Sequence, residues 1–389
     1  MPTPPANAFV SEKDLHQTQD AFPLDLFFCE NCTHIQLLDI VDPSVLFADY
    51  VYVSGTSPVF VEHFESYTAD VLKRFPPGAG SLVVDIGSND GTLLEFFKKS
   101  DMAVLGIDPA RDIAAQANSK GIETLTSFFT PELAQKIRAD KGPAHIITAN
   151  NVFAHADDLA GIADGIRTLL APDGIYVFEV SYLLDVYEQT LFDTIYHEHL
   201  AYHTVKPLVS FFQAHGLELI EAERVSSHGG SLRGFVQHAG GPHKTGSSIA
   251  HRLAEEKSLK LDKSATLKQF AANIEQNKLE LTTLLNDLKH QGKSIAGFGA
   301  PAKATTLMYH FGLGPDVVDF IVDDSPLKQG LYTPGHHISV LPSSALYERK
   351  PDFALILAWN FAEPIMKNHQ KFKQSGGQFI VPLPDVKVH

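Results

Sequence analysis

The chain is poor in cysteine. Among 389 residues there are two, Cys29 and Cys32, and they form a single C-x-x-C pair. A disulfide framework is therefore excluded, while two thiolates supply half of a four-ligand zinc site. Long apolar runs are also missing. Nothing approaches the ~20 consecutive apolar residues that a membrane-spanning helix needs. The start, Met1-Pro-Thr-Pro-Pro-Ala-Asn7, has neither the basic residues nor the apolar stretch of a signal peptide, so a cytoplasmic protein without a membrane partner is expected. Positive charge is in deficit, with 31 Lys and Arg against 46 Asp and Glu, a formal net charge of −15. Such a surface repels phosphate polymers, so nucleic acid is not an expected partner. A small phosphorylated ligand stays compatible, because a few local cations or a helix N-terminus can hold one. The composition, 44% hydrophobic and 20% charged, is that of a globular enzyme long enough for two or three domains.

Residues 1–75 read as a small, loop-rich module. Leu24 to Phe28 is a short strand leading into the cysteine pair, Ile35 to Leu37 the returning strand, and His63 to Phe75 a helix ending at Pro76-Pro77-Gly78. An alternating α/β pattern follows over 76–200. Strands are expected at Leu82–Ile86, Val104–Ile107, His145–Ala149 and Ile175–Phe178, with helices at Leu93–Lys99 and Ile113–Ser119. Strands separated by helices indicate a parallel sheet with crossovers. A third unit, 201–389, opens with one or two long helices between Ser247 and Gln291. Its own strands begin at Ser294, Asp319, Phe353 and Gln378.

The segment Val83-Val-Asp-Ile-Gly-Ser-Asn-Asp-Gly-Thr92 carries the most chemistry. Asp85 near the strand end precedes Gly87, Asn89 and Gly91, and glycines let the backbone turn sharply and approach a ligand. The pattern departs from the dinucleotide fingerprint G-x-G-x-x-G. It resembles motif I of Rossmann-like S-adenosylmethionine methyltransferases, in which the acidic residue and the loop backbone hold the methionine end. Asp108, 17 residues beyond Gly91, ends the second strand. An acid there can accept both ribose hydroxyls, or it can cap the next helix. Asn150 and Asn151 lie at the same sheet edge, outside the carboxyl ends of the strands where ligands of such folds sit.

Tyr196-His197-Glu198-His199 is the second concentration of functional groups. A metal pair or a structural Glu–His contact are the bland readings, although the H-E-x-x-H zinc spacing is absent. The catalytic reading is proton removal beside a carbonyl. Histidine is the base suited to neutral pH, a carboxylate orients or stabilises its charged ring, and a tyrosine hydroxyl can donate to the enolate oxygen. In the C-terminal half, Gly297-Phe-Gly-Ala-Pro-Ala-Lys303 follows a strand and opens a helix, so it can hold a diphosphate with Lys303 as counter-charge. His228-Gly-Gly-Ser231-Leu-Arg233 is a further candidate phosphate contact. Asp323 and Asp324 occupy the ribose-acid position of the second sheet.

Taken together, PANAFV, CENC-x-x-IQL, DYVYVSGTS, VVDIGSNDGTLL, NNVFAH, FDTIYHEHLAY, HGGSLR and GFGAPAKATTL resemble, in order and over nearly the whole chain, the sugar C-methyltransferases that act at carbon 3 of nucleoside-diphosphate 4-keto-6-deoxy sugars. The resemblance implies an α/β protein. It would comprise a zinc-ribbon-like N-terminal module, a Rossmann-like S-adenosylmethionine-binding domain and a second Rossmann-like C-terminal domain, with the sugar nucleotide near the junction of the last two. It makes His199 the preferred general base, with Tyr196 and Glu198 in the same site, completed by Tyr50 and His155. Relatives carry two C-x-x-C pairs and commonly glycine at position 33. This chain has one pair and Thr33, and it opens on the segment that normally follows the first pair, as a late start or truncated gene model would. Bound zinc is therefore as expected as an unmetallated pair. The competing expectations are a sugar O-methyltransferase, a nicotinamide-dependent sugar oxidoreductase or epimerase using the C-terminal turn, and a catalytically impaired nucleotide-binding homologue.

Overall fold

A computed structural model describes residues 1–47, 55 and 58–389; Tyr50 and the His228 side chain lie outside what it describes. The N-terminal unit holds β1 (Leu26–Phe28), β2 (Ile35–Leu37) and α1 (Pro43–Phe47). β1 and β2 pair antiparallel around the cysteine turn, closed by Cys29 N–H to the His34 carbonyl at 2.9 Å and Thr33 N–H to the Cys29 carbonyl at 2.8 Å. Thr33 sits at φ 66°, a left-handed conformation that a β-branched residue rarely adopts. That is why glycine suits this position.

The central unit runs through α2 (Pro58–Arg74), β3 (Leu82–Ile86), α3 (Thr92–Lys99), β4 (Ala103–Ile107), α4 (Arg111–Ser119), β5 (Thr124–Leu125), α5 (Pro131–Lys141) and β6 (Ala144–Asn150). It continues through α6 (Leu159–Leu169), β7 (Leu170–Ser181), α7 (Leu183–Glu188), β8 (Ala201–Tyr202), α8 (Val205–Ala214), β9 (Leu217–Val225) and β10 (Ser231–His238). Its seven-stranded sheet has the order β5-β4-β3-β6-β7-β10-β9, in which β10 alone runs against the rest, antiparallel to both of its neighbours. β3 is buried at every residue, as a strand covered by helices on both faces must be. Local signals set the helix starts. The Thr130 hydroxyl accepts from Leu133 N–H at 3.2 Å with Pro131 following, and Asp158 accepts from Gly161 N–H at 2.8 Å.

Two helices, α9 (Ser247–Ser258) and α10 (Ser264–His290), lead to the C-terminal sheet. That sheet is built from β11 (Ile295–Phe298), α11 (Ala302–Phe311), β12 (Phe320–Val322), β13 (Val340–Leu341), α12 (Ala345–Arg349), β14 (Phe353–Ile356), α13 (Ala362–Asn368), α14 (Gln370–Gln374), β15 (Gln378–Val381) and β16 (Lys387–Val388). The order β13-β12-β11-β14-β15-β16 repeats the plan of the central sheet: the first strand lies inside, the next two go to one side and the later ones to the other. In each sheet the chain reverses direction beside its first strand, which opens a crevice at the carboxyl ends. Among the described residues no helix is long and apolar enough to cross a membrane.

The central sheet runs on past the expected division at residue 200. β10 pairs with β7 and β9 with β10, so residues 217–238 extend the central sheet. Their burial hides one face of a mixed sheet, a pattern with no glycine-rich turn to announce it. The units also interlock. β8, directly after the Tyr196–His199 loop, extends the N-terminal hairpin through Ile35–Tyr202 and Gln36–Ala201 pairing. Phe192 stacks on Phe311 of α11 at 5.2 Å.

Glu256 of α9 reaches across to cap α8. Its carboxylate accepts from Val205 N–H at 2.6 Å, Lys206 N–H at 3.2 Å and the Tyr182 hydroxyl at 2.8 Å, while 5% exposed. Glu256→Ala leaves these buried donors unmet and should lower unfolding stability by about 2–3 kcal/mol, read by thermal and denaturant unfolding.

Candidate active site

At the carboxyl edge of the central sheet the chain makes a tight turn after β3. Gly87 has φ 69°, and a Cβ there would lie 2.2 Å from Val152 Cγ2, so only glycine fits without displacing the loop after β6. Its N–H donates to the Ile107 carbonyl at 2.7 Å. Asn89, at φ 50°, donates its N–H to Asp108 Oδ2 at 2.9 Å, and Ala110 N–H donates to Asp108 Oδ1 at 2.9 Å. Asp108 thus fixes the turn ahead of the following helix and clasps the glycine turn at once, with carboxylate lone pairs left over for a ligand. Burial raises its pKa. Asp85 is 4% exposed and accepts from the Thr148 hydroxyl at 2.6 Å; burial pushes its titration up to about 7.

Asn150 ends β6, and Asn151, at φ 56°, turns the chain with its N–H on the Glu179 carbonyl at 2.7 Å. Neither polar atom of the buried Asn150 side chain has a hydrogen bond of good geometry, although the Tyr67 hydroxyl is a neighbour. An unmet buried amide beside a glycine turn and a buried acid fits a polar ligand such as S-adenosylmethionine, and Asp85, Gly87, Asn89, Asp108, Asn150 and Asn151 all stand at this one edge. The sheet register puts Thr148, Asn150, Glu179 and Arg233 on the face that carries Asp85.

Glu179 was not singled out from the sequence. It is 2% exposed, pairs with His63 at 2.8 Å and binds Arg233 at 2.6 Å. Burial alone would raise its pKa, but His63 and Arg233 outweigh burial and hold it below the ordinary value. A lone acid inside the apolar run Ile175–Val180 was the available signal. The Arg233 guanidinium, stacked 4.5 Å from the Tyr67 ring, is therefore committed to a carboxylate of the chain. The Ser231 hydroxyl donates to the Ser227 carbonyl at 3.0 Å. Both side chains sit on an interior strand of the central sheet, in contact with groups of the chain itself.

The second cluster lies on the loop after the short helical turn Phe192–Thr194. Asp193 is fully buried, accepts from Trp359 Nε1 at 2.6 Å and faces Lys303 Nζ at 3.5 Å, while Thr306 donates to the Ile195 carbonyl at 2.7 Å. The C-terminal unit thus fixes this loop. From the other side, Leu200 N–H and Ala201 N–H both donate to the Ala154 carbonyl, at 2.8 and 3.0 Å. His155 is drawn against His199, ring centroids 5.0 Å apart, with Tyr196 4.1 Å from His199 on the same loop. His199 Nδ1 lies 2.8 Å from the Thr194 carbonyl. A carbonyl only accepts, so Nδ1 carries the proton and Nε2 keeps its lone pair. Glu198, 3% exposed, receives the Asn7 amide at 2.8 Å, and burial pushes its titration up to about 7. His197 is 1% exposed against the Phe22 carbonyl, and burial lowers its pKa. It therefore packs the loop as a neutral ring.

Lys303 opens α11 beneath the second glycine turn, with its charge directed at Asp193 and its Nζ 4.3 Å from the Trp359 ring. That turn copies the first: Gly299 N–H donates to the Val322 carbonyl at 2.7 Å, while Asp323 accepts from Ala300 N–H at 2.6 Å and Ser325 N–H at 2.7 Å.

Cys29 and Cys32 are exposed at the hairpin tip, where the backbone amides of Cys32 and Asn31 hold the Cys29 thiol below its ordinary pKa. Among the described residues no three His, Cys, Asp or Glu side chains converge on one point. The residues present do not make a complete tetrahedral zinc site.

The twin sheet plan and the loaded first turn define a Rossmann-like methyltransferase. Domain models agree: a methyltransferase domain matches residues 60–222, a C-methyltransferase C-terminal domain matches 226–384, and a zinc binding domain matches 2–47. The C-methyltransferase NovU of Streptomyces niveus is 35% identical over 99% of this chain and 92% of its own length. The chain belongs to this C-methyltransferase family. A ubiquinone biosynthesis O-methyltransferase of Ralstonia nicotianae is 26% identical over 38% of this chain and 68% of its own. Magnesium protoporphyrin IX methyltransferase (ChlM) of Synechocystis PCC 6803, solved with bound SAM, has 16% identity and a TM-score of 0.35, covering 49% of this chain and 86% of that one.

Two outcomes are expected. Gly87→Ala should weaken S-adenosylmethionine binding at least about tenfold in calorimetry, because the turn must open by the width of a methyl group. Thiol titration of the folded protein should find both cysteines reactive before any chelator is added.

Proposed function

We propose that the protein methylates carbon 3 of a nucleoside-diphosphate 4-keto-6-deoxy sugar through an enolate. The observation that carries this reading is the stacked His155–His199–Tyr196 group, in which the Thr194 carbonyl sets the His199 tautomer. When bound, S-adenosylmethionine supplies an electrophilic methyl group on a positively charged sulfur. Asp85, the backbone of Gly87 and Asn89, Asp108, Asn150 and Asn151 would hold it at the edge of the central sheet.

His199 Nε2 takes the proton from carbon 3, and the electron pair of that C–H bond moves into the ring carbon–carbonyl linkage to give the 4-enolate. Tyr196 donates a hydrogen bond as charge develops on the enolate oxygen. The nearby carboxylate of Glu198 favours the imidazolium that forms, and His155 packs the ring against sliding. Carbon 3 then bonds to the methyl carbon as the methyl–sulfur bond breaks, which regenerates the ketone. Lys303, at the start of α11 and shared with Asp193, would be the cation that meets a diphosphate. The family likeness to a C-methyltransferase supports a carbon acceptor. A ketone beside that carbon supplies the acidity without which a histidine could not remove its proton.

His199→Ala should slow exchange of the carbon-3 proton in deuterated water by at least about a hundredfold while S-adenosylmethionine binding persists. The product, examined by NMR, should carry its new methyl group on carbon 3. A methyl group on oxygen would make the enzyme an O-methyltransferase and sink the enolate route.

A further inference from the structure

Asn7 belongs to the N-terminal segment, 191 residues before Glu198, yet its side-chain amide donates to Glu198 Oε1 at 2.8 Å. The segment is not carried by the central unit. Ala6 is 2% exposed and its carbonyl accepts from the Thr305 hydroxyl of α11 at 3.0 Å. Val10 exchanges backbone hydrogen bonds with Tyr332 at 2.9 and 2.8 Å, and Gln19 Oε1 accepts from Gly335 N–H at 2.6 Å. Asn7 is thus presented from the C-terminal unit to a loop of the central one.

We propose that Asn7 is a positioning residue for methyl transfer: its amide fixes the Glu198 carboxyl group in its working orientation, so the N-terminal segment completes the active site. The proposal rests on the reading of Glu198 given above. A buried carboxyl group needs a partner, and the kind of partner matters. An arginine would lock Glu198 as an anion. A neutral amide satisfies one oxygen and favours the ionised form only modestly, so the group still titrates near neutral pH. Burial raises Glu198 to about 7, and Asn7 opposes that rise. The titratable groups on its own loop are Tyr196, His197 and His199; His155 stacks on His199, and Lys303 of α11 faces Asp193 of the preceding turn.

The test is a set of pH–rate profiles with a keto-sugar nucleotide for the wild type, Asn7→Ala, Asn7→Leu and Glu198→Gln, alongside S-adenosylmethionine affinity. Without the amide, Glu198 should ionise later. In Asn7→Ala the acid limb of kcat should move up by about one pH unit, with kcat at pH 7 about fivefold lower and S-adenosylmethionine affinity within about twofold. Asn7→Leu keeps the volume without the donor and reads the same limb if the alanine variant fails to fold. If Glu198→Gln is inactive while both Asn7 variants keep the wild-type limb and kcat, Asn7 has no positioning role. If Glu198→Gln retains wild-type kcat, the reading of Glu198 falls and this proposal falls with it.

Discussion

Two backbone amides, those of Leu200 and Ala201, converge on one acceptor, the Ala154 carbonyl. This tie joins the loop after β6, which borders the glycine turn, to the loop that carries Tyr196, Glu198 and His199. The histidine stack depends on it, since His155 is the next residue after Ala154 and His199 the one before Leu200. Secondary structure makes no such link, because β6 and the 192–199 loop are not neighbours in any sheet. Backbone atoms, which any side chain leaves in place, therefore bring the edge suited to the methyl donor up to the group suited to the acceptor.

The buried ions around this tie follow one rule: each charge has its counterpart close by. Glu179 meets Arg233 and His63, Asp193 meets Lys303 and the Trp359 indole, and Asp185 meets Arg224. Removing one member of such a pair leaves the other uncompensated in a low-dielectric setting, which costs several kcal/mol. Glu198, Asp85, Asp108 and Glu256 are the exceptions, with neutral donors at their carboxyl groups. Burial raises the pKa of all four, and moves the titration of Glu198 and Asp85 to about 7. Unpaired acids of this kind concentrate where a site must respond to a ligand or a proton.

Much of the fold was legible in the sequence because the parallel strands are fully buried and read as continuous apolar runs. Leu82–Ile86, Ile35–Leu37 and Gln378–Val381 form strands with the predicted limits, and the helical stretch from Ser247 to Gln291 resolves into two helices. β9 and β10 were not legible. Their apolar and charged residues mix on an antiparallel edge, and the HGGSLR motif between them drew attention to phosphate chemistry instead. The glycine turn was readable because its function is local, a left-handed backbone next to an acid. Asn7 and Glu179 were not, because their meaning lies in partners that only folding brings near: Glu198 for Asn7, and His63 and Arg233 for Glu179. Tyr50, taken from the family resemblance, lies outside the described residues.

The clasp of the N-terminal segment onto the C-terminal sheet bears on the order in which the protein is made. Residues 6 to 19 find their partners at Thr305, Tyr332 and Gly335, so this segment must wait for one made about 300 residues later. Contacts this distant in sequence form late. A nascent chain can close its central sheet early and still lack Asn7 beside Glu198, so synthesis itself keeps the site incomplete until the C-terminal sheet is made.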